Sequence, residues 1–218
     1  MSGVGNNGRM RVRPISPDLL VDELADRIAA LPGRPWSRVA VDGAPAARPQ
    51  ALADDLVEPL RLRGRPVLRV GAWDFLRPAS VRLEHGHTDP DAYYEDWLDA
   101  GALRREVLDP LATEGGDGRV LPSLWDARRD RATRAEYVTL PEGGVLLVDG
   151  TLLLGRWLPF DLVVHLSLSS GALARRTPDE LAWTLPAYDR YATEVEPTRQ
   201  ATVVVRADDP RRPALVEP

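Results

Sequence analysis

The segment from Val39 to Leu56 reads Val-Ala-Val-Asp-Gly-Ala-Pro-Ala-Ala-Arg-Pro-Gln-Ala-Leu-Ala-Asp-Asp-Leu. A short apolar strand enters a loop of small residues, and an Ala- and Leu-rich helix leaves it. That is the setting of a phosphate-binding loop, whose pattern is G-x-x-x-x-G-K-[ST]. Laid on that pattern, Gly43 is the first glycine and Ala44, Pro45, Ala46 and Ala47 fill the variable positions. Arg48, Pro49 and Gln50 then stand where Gly, Lys and Ser/Thr belong. The scaffold for phosphate chemistry is recognisable, while the groups that perform it are replaced. Arg48 reads either as a charge for phosphate or carboxylate at a helix start, or as a solvated or inward-folded arginine.

Two further acidic positions follow apolar runs. Trp73-Asp74 comes after Val67–Gly71, and Asp149-Gly150 ends Leu146-Leu147-Val148. In open α/β sheets, ligands lie beyond the carboxyl ends of the strands, so these two clusters and the 42–50 loop would share one crevice. Asp149 is read as orienting a metal or water, or as capping the turn after a buried strand. Tyr93, Tyr94 and Trp97 have helical spacing and could stack a nucleobase or pack the core. His85-Gly86-His87 has no supporting ligand cluster and reads as a surface loop. His165 alternates within an apolar strand as a core histidine. Arg104-Arg105 and Arg128-Arg129 read as solvated surface.

The elements that must position these residues follow from pattern. Ser16 and Pro17 open a helix to about Leu31, and Pro32-Gly33 closes it. Strands are expected at Arg38–Asp42, Val67–Gly71, Leu146–Val148, Leu162–Leu166 and Thr202–Val205. Asp89-Pro90 caps a helix carrying the aromatic trio, and Asp99 another through Leu108. Continuous apolar strands separated by helical stretches mean a parallel sheet covered on both faces. One domain over residues 16–206 is expected, with flexible tails at 1–15 and 207–218 and an alternative start at Met10.

Composition bounds the partners. All 28 basic residues are arginine, so arginine stands wherever a lysine would otherwise serve. A net charge of −5 argues against broad binding to nucleic acid or anionic membrane, though arginines can still build a local anion site. With no cysteine, disulfides, thiolate catalysis and cysteine-ligated metals are excluded. No apolar run reaches a membrane span and the first residues lack a signal-peptide core, which leaves the cytoplasm as the default.

With these residues in place, the chain resembles the uridine kinase family of P-loop nucleoside kinases over roughly residues 38–206. The resemblance rests on Val-Asp-Gly before the loop, Trp73-Asp74-Phe75-Leu76-Arg77-Pro78 and Asp89-Pro90-Asp91-Ala92-Tyr93-Tyr94. It rests also on Leu147-Val148-Asp149-Gly150 and on Tyr191, Glu194, Pro197 and Ala201 before the last strand. It implies a P-loop kinase-like, three-layer α/β domain with a five-stranded parallel sheet flanked by helices, and a lid. The family moves the terminal phosphate of ATP to a nucleoside hydroxyl, chiefly by positioning and charge stabilisation. Here Asp74 and Asp149 are the catalytic candidates. Trp73, Tyr93, Tyr94, Asp126 and Arg128 are the substrate candidates, and Arg175 and Arg176 remain of the lid.

The family's acceptor-side aspartate falls on Trp73, one residue before Asp74. In extended backbone that shift turns the carboxylate to the opposite face unless a bulge rescues it. A family histidine is replaced by Ala127. The expectation is a protein with a disabled phosphate loop that binds a nucleoside or small anionic metabolite, with little or no phosphoryl transfer. No cofactor is then required, and no metal ligand set is assigned. The alternatives are an active nucleoside kinase that uses Mg-ATP through its arginines, and a pseudoenzyme regulating a protein partner.

Overall fold

The computed structural model describes residues 11–33 and 35–217. Its strands are β1 (Arg11–Pro14), β2 (Ser37–Gly43), β3 (Val67–Gly71), β4 (Val145–Gly150), β5 (Leu162–Ser167), β6 (Val203–Arg206) and β7 (Ala214–Glu217). The helices that bear on the site are α1 (Pro17–Ala29), α2 (Pro49–Leu62), α3 (Pro90–Glu95), α4 (Ser170–Arg176) and α5 (Leu185–Glu194). The main sheet runs β1-β7-β6-β5-β2-β4-β3. Its five central and right-hand members, β6-β5-β2-β4-β3, are parallel, as expected.

Alternation along the strands splits the core into two layers. Val39 and Val41 of β2 and Val145 and Leu147 of β4 pack with Leu24 and Ile28 of α1 and with Leu56 of α2. Ala40, Leu146 and Val148 face the other way, against Phe75, Leu103, Val107 and α5 residues such as Tyr188. Neighbouring residues therefore go to opposite faces, and both faces are covered, which is why these strands are apolar throughout. β2 lies between β4 and β5, and the chain leaves it for β3 and β4 on one side before crossing to β5 on the other. Its carboxyl end is the point where strand order reverses, the position at which such sheets open a crevice.

Local chemistry sets the helix starts. Ser16 caps α1 through its hydroxyl and Asp89 caps α3 through its carboxylate, each with a proline at the first helical position. The aromatic trio is divided, because α3 ends at Glu95 and Trp97 follows it outside the helix. The element after Asp99 is an α turn at Ala100–Leu103 that widens to a π turn over Arg104–Leu108 rather than a regular helix.

The expected tails need correction. Arg11–Pro14 pairs antiparallel with Ala214–Glu217, which in turn pairs antiparallel with β6. Leu215 is only 1% exposed in the α1-side core, and that burial supplies a reason for the segment to order. The tail expected over residues 1–10, with Met10 as a start, lies outside the described residues. Among the described residues, no helix is long and apolar enough to cross a membrane.

Leu215→Ala separates an ordered strand, paired on both sides, from a loose tail. It is expected to cost about 2–4 kcal/mol in urea unfolding, whereas a loose tail would change stability by less than about 0.5 kcal/mol.

Candidate functional site

The loop from Gly43 to Gln50 joins the central strand to α2, with Pro49 at the first helical position. Gly43 lies close against the next strand: a Cβ there would lie 3.0 Å from Leu166 Cβ and 3.1 Å from the Leu166 carbonyl oxygen, so a larger residue would push on β5. Pro45 opens a 3₁₀ turn over Pro45–Ala47. In that turn the Ala47 amide donates to the Ala44 carbonyl at 2.8 Å, and the Arg48 amide to the Pro45 carbonyl at 2.9 Å. Arg48 is left-handed, at φ 61° and ψ 53°. Glycine adopts that conformation freely, whereas an L-residue bears about 1–2 kcal/mol of strain. The backbone thus keeps a glycine's shape at the position where the pattern has a glycine.

The loop's polar groups are few. Pro45 and Pro49 have no N–H, and the amides of Ala47 and Arg48 are already committed to loop carbonyls. Gln50 offers no hydroxyl for a metal. Asp149 already has a cation beside it: Arg69 Nη2 of β3 lies 2.7 Å from Asp149 Oδ1, and Arg69 Nε lies 3.2 Å from Asp54 Oδ1 of α2. These contacts are ion pairs without hydrogen-bond geometry at Arg69 Nε and Asp149 Oδ1. Burial therefore dominates over the arginine and pushes the Asp149 carboxyl up to about 6.

Two cavities meet at the loop. The smaller, about 360 Å³, is bounded by Gly43, Arg48, Gln50, Asp54, Asp149 and Thr151. The larger, about 620 Å³, lies between Ala44–Ala46 and the segment after α4, and is walled by Trp73, Tyr93, Trp97, Trp183 and Tyr188. Pro45, Arg48 and Trp73 border both. The rings form a mutual cluster: Tyr93 lies 5.0 Å from Trp97 and 5.5 Å from Trp183, both edge-on.

The structure sorts the candidates expected from sequence. The loop residues, Trp73, Tyr93, Asp149 and Arg176 stand around this crevice; Arg176 also donates to the Ala207 carbonyl at 2.7 Å. Asp74 lines neither cavity. It lies in a 3₁₀ turn over Ala72–Phe75, and its carboxylate is 3.4 Å from the Ser123 hydroxyl, so the neighbouring Trp73 takes the crevice position. Burial raises the Asp74 carboxyl, with the Ser123 bond opposing. Tyr94 points instead toward Glu194, under the Arg190 guanidinium. Asp126 accepts from the Arg128 and Arg129 amides in a surface turn, and the exposed Arg128 and Arg175 line neither cavity.

A polar cluster that the sequence did not join holds the crevice together. Asp42, 0% exposed, accepts from the Leu153 amide at 3.0 Å and the Tyr191 hydroxyl at 3.0 Å, and lies 2.7 Å from His165 Nδ1. Burial and the nearby Asp42 charge drive the Tyr191 phenol upward. Trp183 and Tyr188 complete the aromatic wall; the signal for them was the spacing of Tyr188 and Tyr191 on one helix face.

In sequence, the chain matches no family model and no curated protein. In structure it is similar to a "Possible Uridine Kinase" from Bacillus stearothermophilus, with a TM-score of 0.68 and 23% identity over 84% of this chain and 96% of that one. It is also similar to a candidate fructose transport system kinase from Silicibacter sp. TM1040, with a TM-score of 0.55 and 21% identity over 86% and 95%. The fold is shared with these solved structures, a mostly parallel sheet covered by helices on both faces. At these identities the likeness is one of architecture, and the chemistry rests on the side chains described above.

Two predictions follow from the buried acids. Asp42→Ala should cost about 3–5 kcal/mol in chemical unfolding, because it strands three buried partners, while Tyr191→Phe should cost about 1 kcal/mol. A carboxyl raised in the folded state binds its proton more tightly there than in the unfolded chain. Stability from Asp149 is then full below its ordinary value of 3.8 and lost as pH rises through about 6. Urea melts at a series of pH values should show that decline, and Asp149→Asn should flatten it.

Proposed function

We propose that this protein is a nucleoside-kinase-like binder: it takes a small organic ligand, a nucleoside or an anionic metabolite, and transfers little or no phosphate from Mg-ATP. The observation that carries this reading is the loop, which keeps the left-handed turn at residue 48 and the helix start at Pro49 while its amides bond to its own carbonyls. The cavity beside it supports retained ligand recognition, since about 300–1,000 Å³ is the range of small-molecule sites.

Magnitudes favour loss of turnover. Each preorganised donor to a developing charge is worth about 100- to 1,000-fold in rate, and kinases turn over at only about 1–100 per second. Removing the lysine, a phosphate amide and the metal hydroxyl together therefore exhausts the rate. Trp73 in place of an acceptor-side carboxylate removes the group that would take the hydroxyl proton.

One observation favours a second reading. The Arg48 side chain forms no hydrogen bond or ion pair among the described residues, and it borders the same cavity as Asp149. An arginine can hold phosphate bidentately, so an active kinase built on Arg48 is the competing account.

Calorimetry and a uridine phosphorylation assay separate the two. Native protein should show no Mg-ATP binding and turnover at background; saturable Mg-ATP binding with turnover abolished by Arg48→Ala would establish the competitor. In the combined variant Arg48→Gly, Pro49→Lys, Gln50→Thr, Mg-ATP affinity should become measurable, because the three changes return backbone room, charge with an N–H, and a hydroxyl. Catalysis should stay poor until Trp73→Asp is added.

A further inference from the structure

The larger cavity offers a ligand much ring surface and few unspent polar groups. The four hydroxyls around it are already engaged. Tyr93 and Tyr188 bond to each other at 2.8 Å, and Thr151 donates to Tyr188 at 3.2 Å. Thr177 donates to the Leu173 carbonyl at 2.8 Å, and Thr184 to the Leu181 carbonyl at 2.7 Å. Burial pushes the Tyr188 phenol up to about 12 and raises Tyr93 as well, so both stay neutral. No carboxylate, carboxamide or imidazole borders this cavity.

What remains is cationic and apolar. Arg48 has no partner for its guanidinium among the described residues, and Arg176 has only the Ala207 carbonyl. Trp73 and Leu181, each 41% exposed, leave apolar surface open at the mouth. Exposed apolar surface beside a cavity is the mark of a ligand site.

We infer that this cavity takes a flat, largely apolar anion, a ring system bearing one carboxylate, sulfonate or phosphate, in preference to a sugar-bearing nucleoside. The inference rests on the binder reading above and narrows its ligand class. Ring faces and edges of Trp73, Trp97 and Trp183 receive a planar apolar body by stacked or edge-on contact. A ribose would surrender its hydrogen bonds to water and find few replacements, since each of these hydroxyls already forms one bond within the protein. An aromatic enclosure would otherwise suit an organic cation, but two arginines at its border repel one. Arg48 and Arg176 both border the larger cavity, so the ligand's anionic group has a cation within the same enclosure.

Calorimetric titration of the full chain with probes on one ring frame tests this: 1-naphthoate, 1-naphthalenemethanol and 1-naphthylmethylammonium, with uridine alongside. Naphthoate should bind about 10-fold tighter than the alcohol, as a charge-assisted hydrogen bond allows, with the ammonium weaker than the alcohol and uridine weakest. Arg48→Gln with Arg176→Gln should erase the carboxylate's advantage and leave alcohol binding unchanged. Trp73→Ala should weaken all three naphthalenes by about 10-fold, the loss expected when a stacking ring is removed, and Trp73→Phe should recover most of it. Unchanged melting temperatures of the variants confirm that folding is intact. Uridine binding as tight as naphthoate, affinities indifferent to charge, or no naphthalene binding at all would overturn the inference. Mg-ATP-dependent uridine turnover would instead overturn the binder reading. Uridine binding without turnover would leave that reading standing and remove only the ligand class.

Discussion

A single carboxylate shut off from water organises the crevice. Asp42, at the carboxyl end of the central strand, accepts hydrogen bonds from the chain after β4 through Leu153 and from α5 through Tyr191, and it contacts β5 through His165. A buried charge is tolerated only when its lone pairs are occupied, so three separate parts of the chain are held to one point. Residue 42 also immediately precedes the loop from Gly43 to Gln50. Tyr188, one turn before Tyr191 on the same helix, lines the larger cavity.

The loop shows how shape and chemistry can part. Pro45 commits the chain to a 3₁₀ turn, that turn consumes the Ala47 and Arg48 amides, and Pro49 restarts the helix. Each step satisfies local backbone rules, and in the binder reading proposed above the sum is a loop that needs no anion to complete it. On the far side, Arg69 of β3 lies 2.7 Å from Asp149 Oδ1. The strain at Arg48 is the remaining cost of keeping a turn built for glycine.

Much of the fold was legible because apolar runs and caps speak locally: all five parallel strands fell where β-rich stretches lay between turn residues. The two antiparallel strands were not. Arg11–Pro14 has two arginines in four residues, and Ala214–Glu217 follows a Pro- and Arg-rich stretch, so each reads as a tail until its distant partner is known. At the site, the strand–loop–helix setting was legible from pattern, whereas the extended backbone expected at Trp73-Asp74 is a 3₁₀ turn, so residue offset does not explain where Asp74 lies. Asp42, His165 and Tyr191 could not be joined in advance, since 123 and 149 residues separate the histidine and the tyrosine from the carboxylate. The aromatic wall was half visible, because Tyr93 sits in a helix whereas Trp97 and Trp183 reach it from irregular backbone.

The central claim is that the loop's own carbonyls hold the amides a phosphate would need. Hydrogen exchange of the Ala47 and Arg48 amides, followed by NMR with and without Mg-ATP, tests it most directly. The account predicts slow exchange in the free protein and no change in shift or rate on adding Mg-ATP. Fast exchange in the free protein, slowed by Mg-ATP with downfield shifts of both amides, would contradict it.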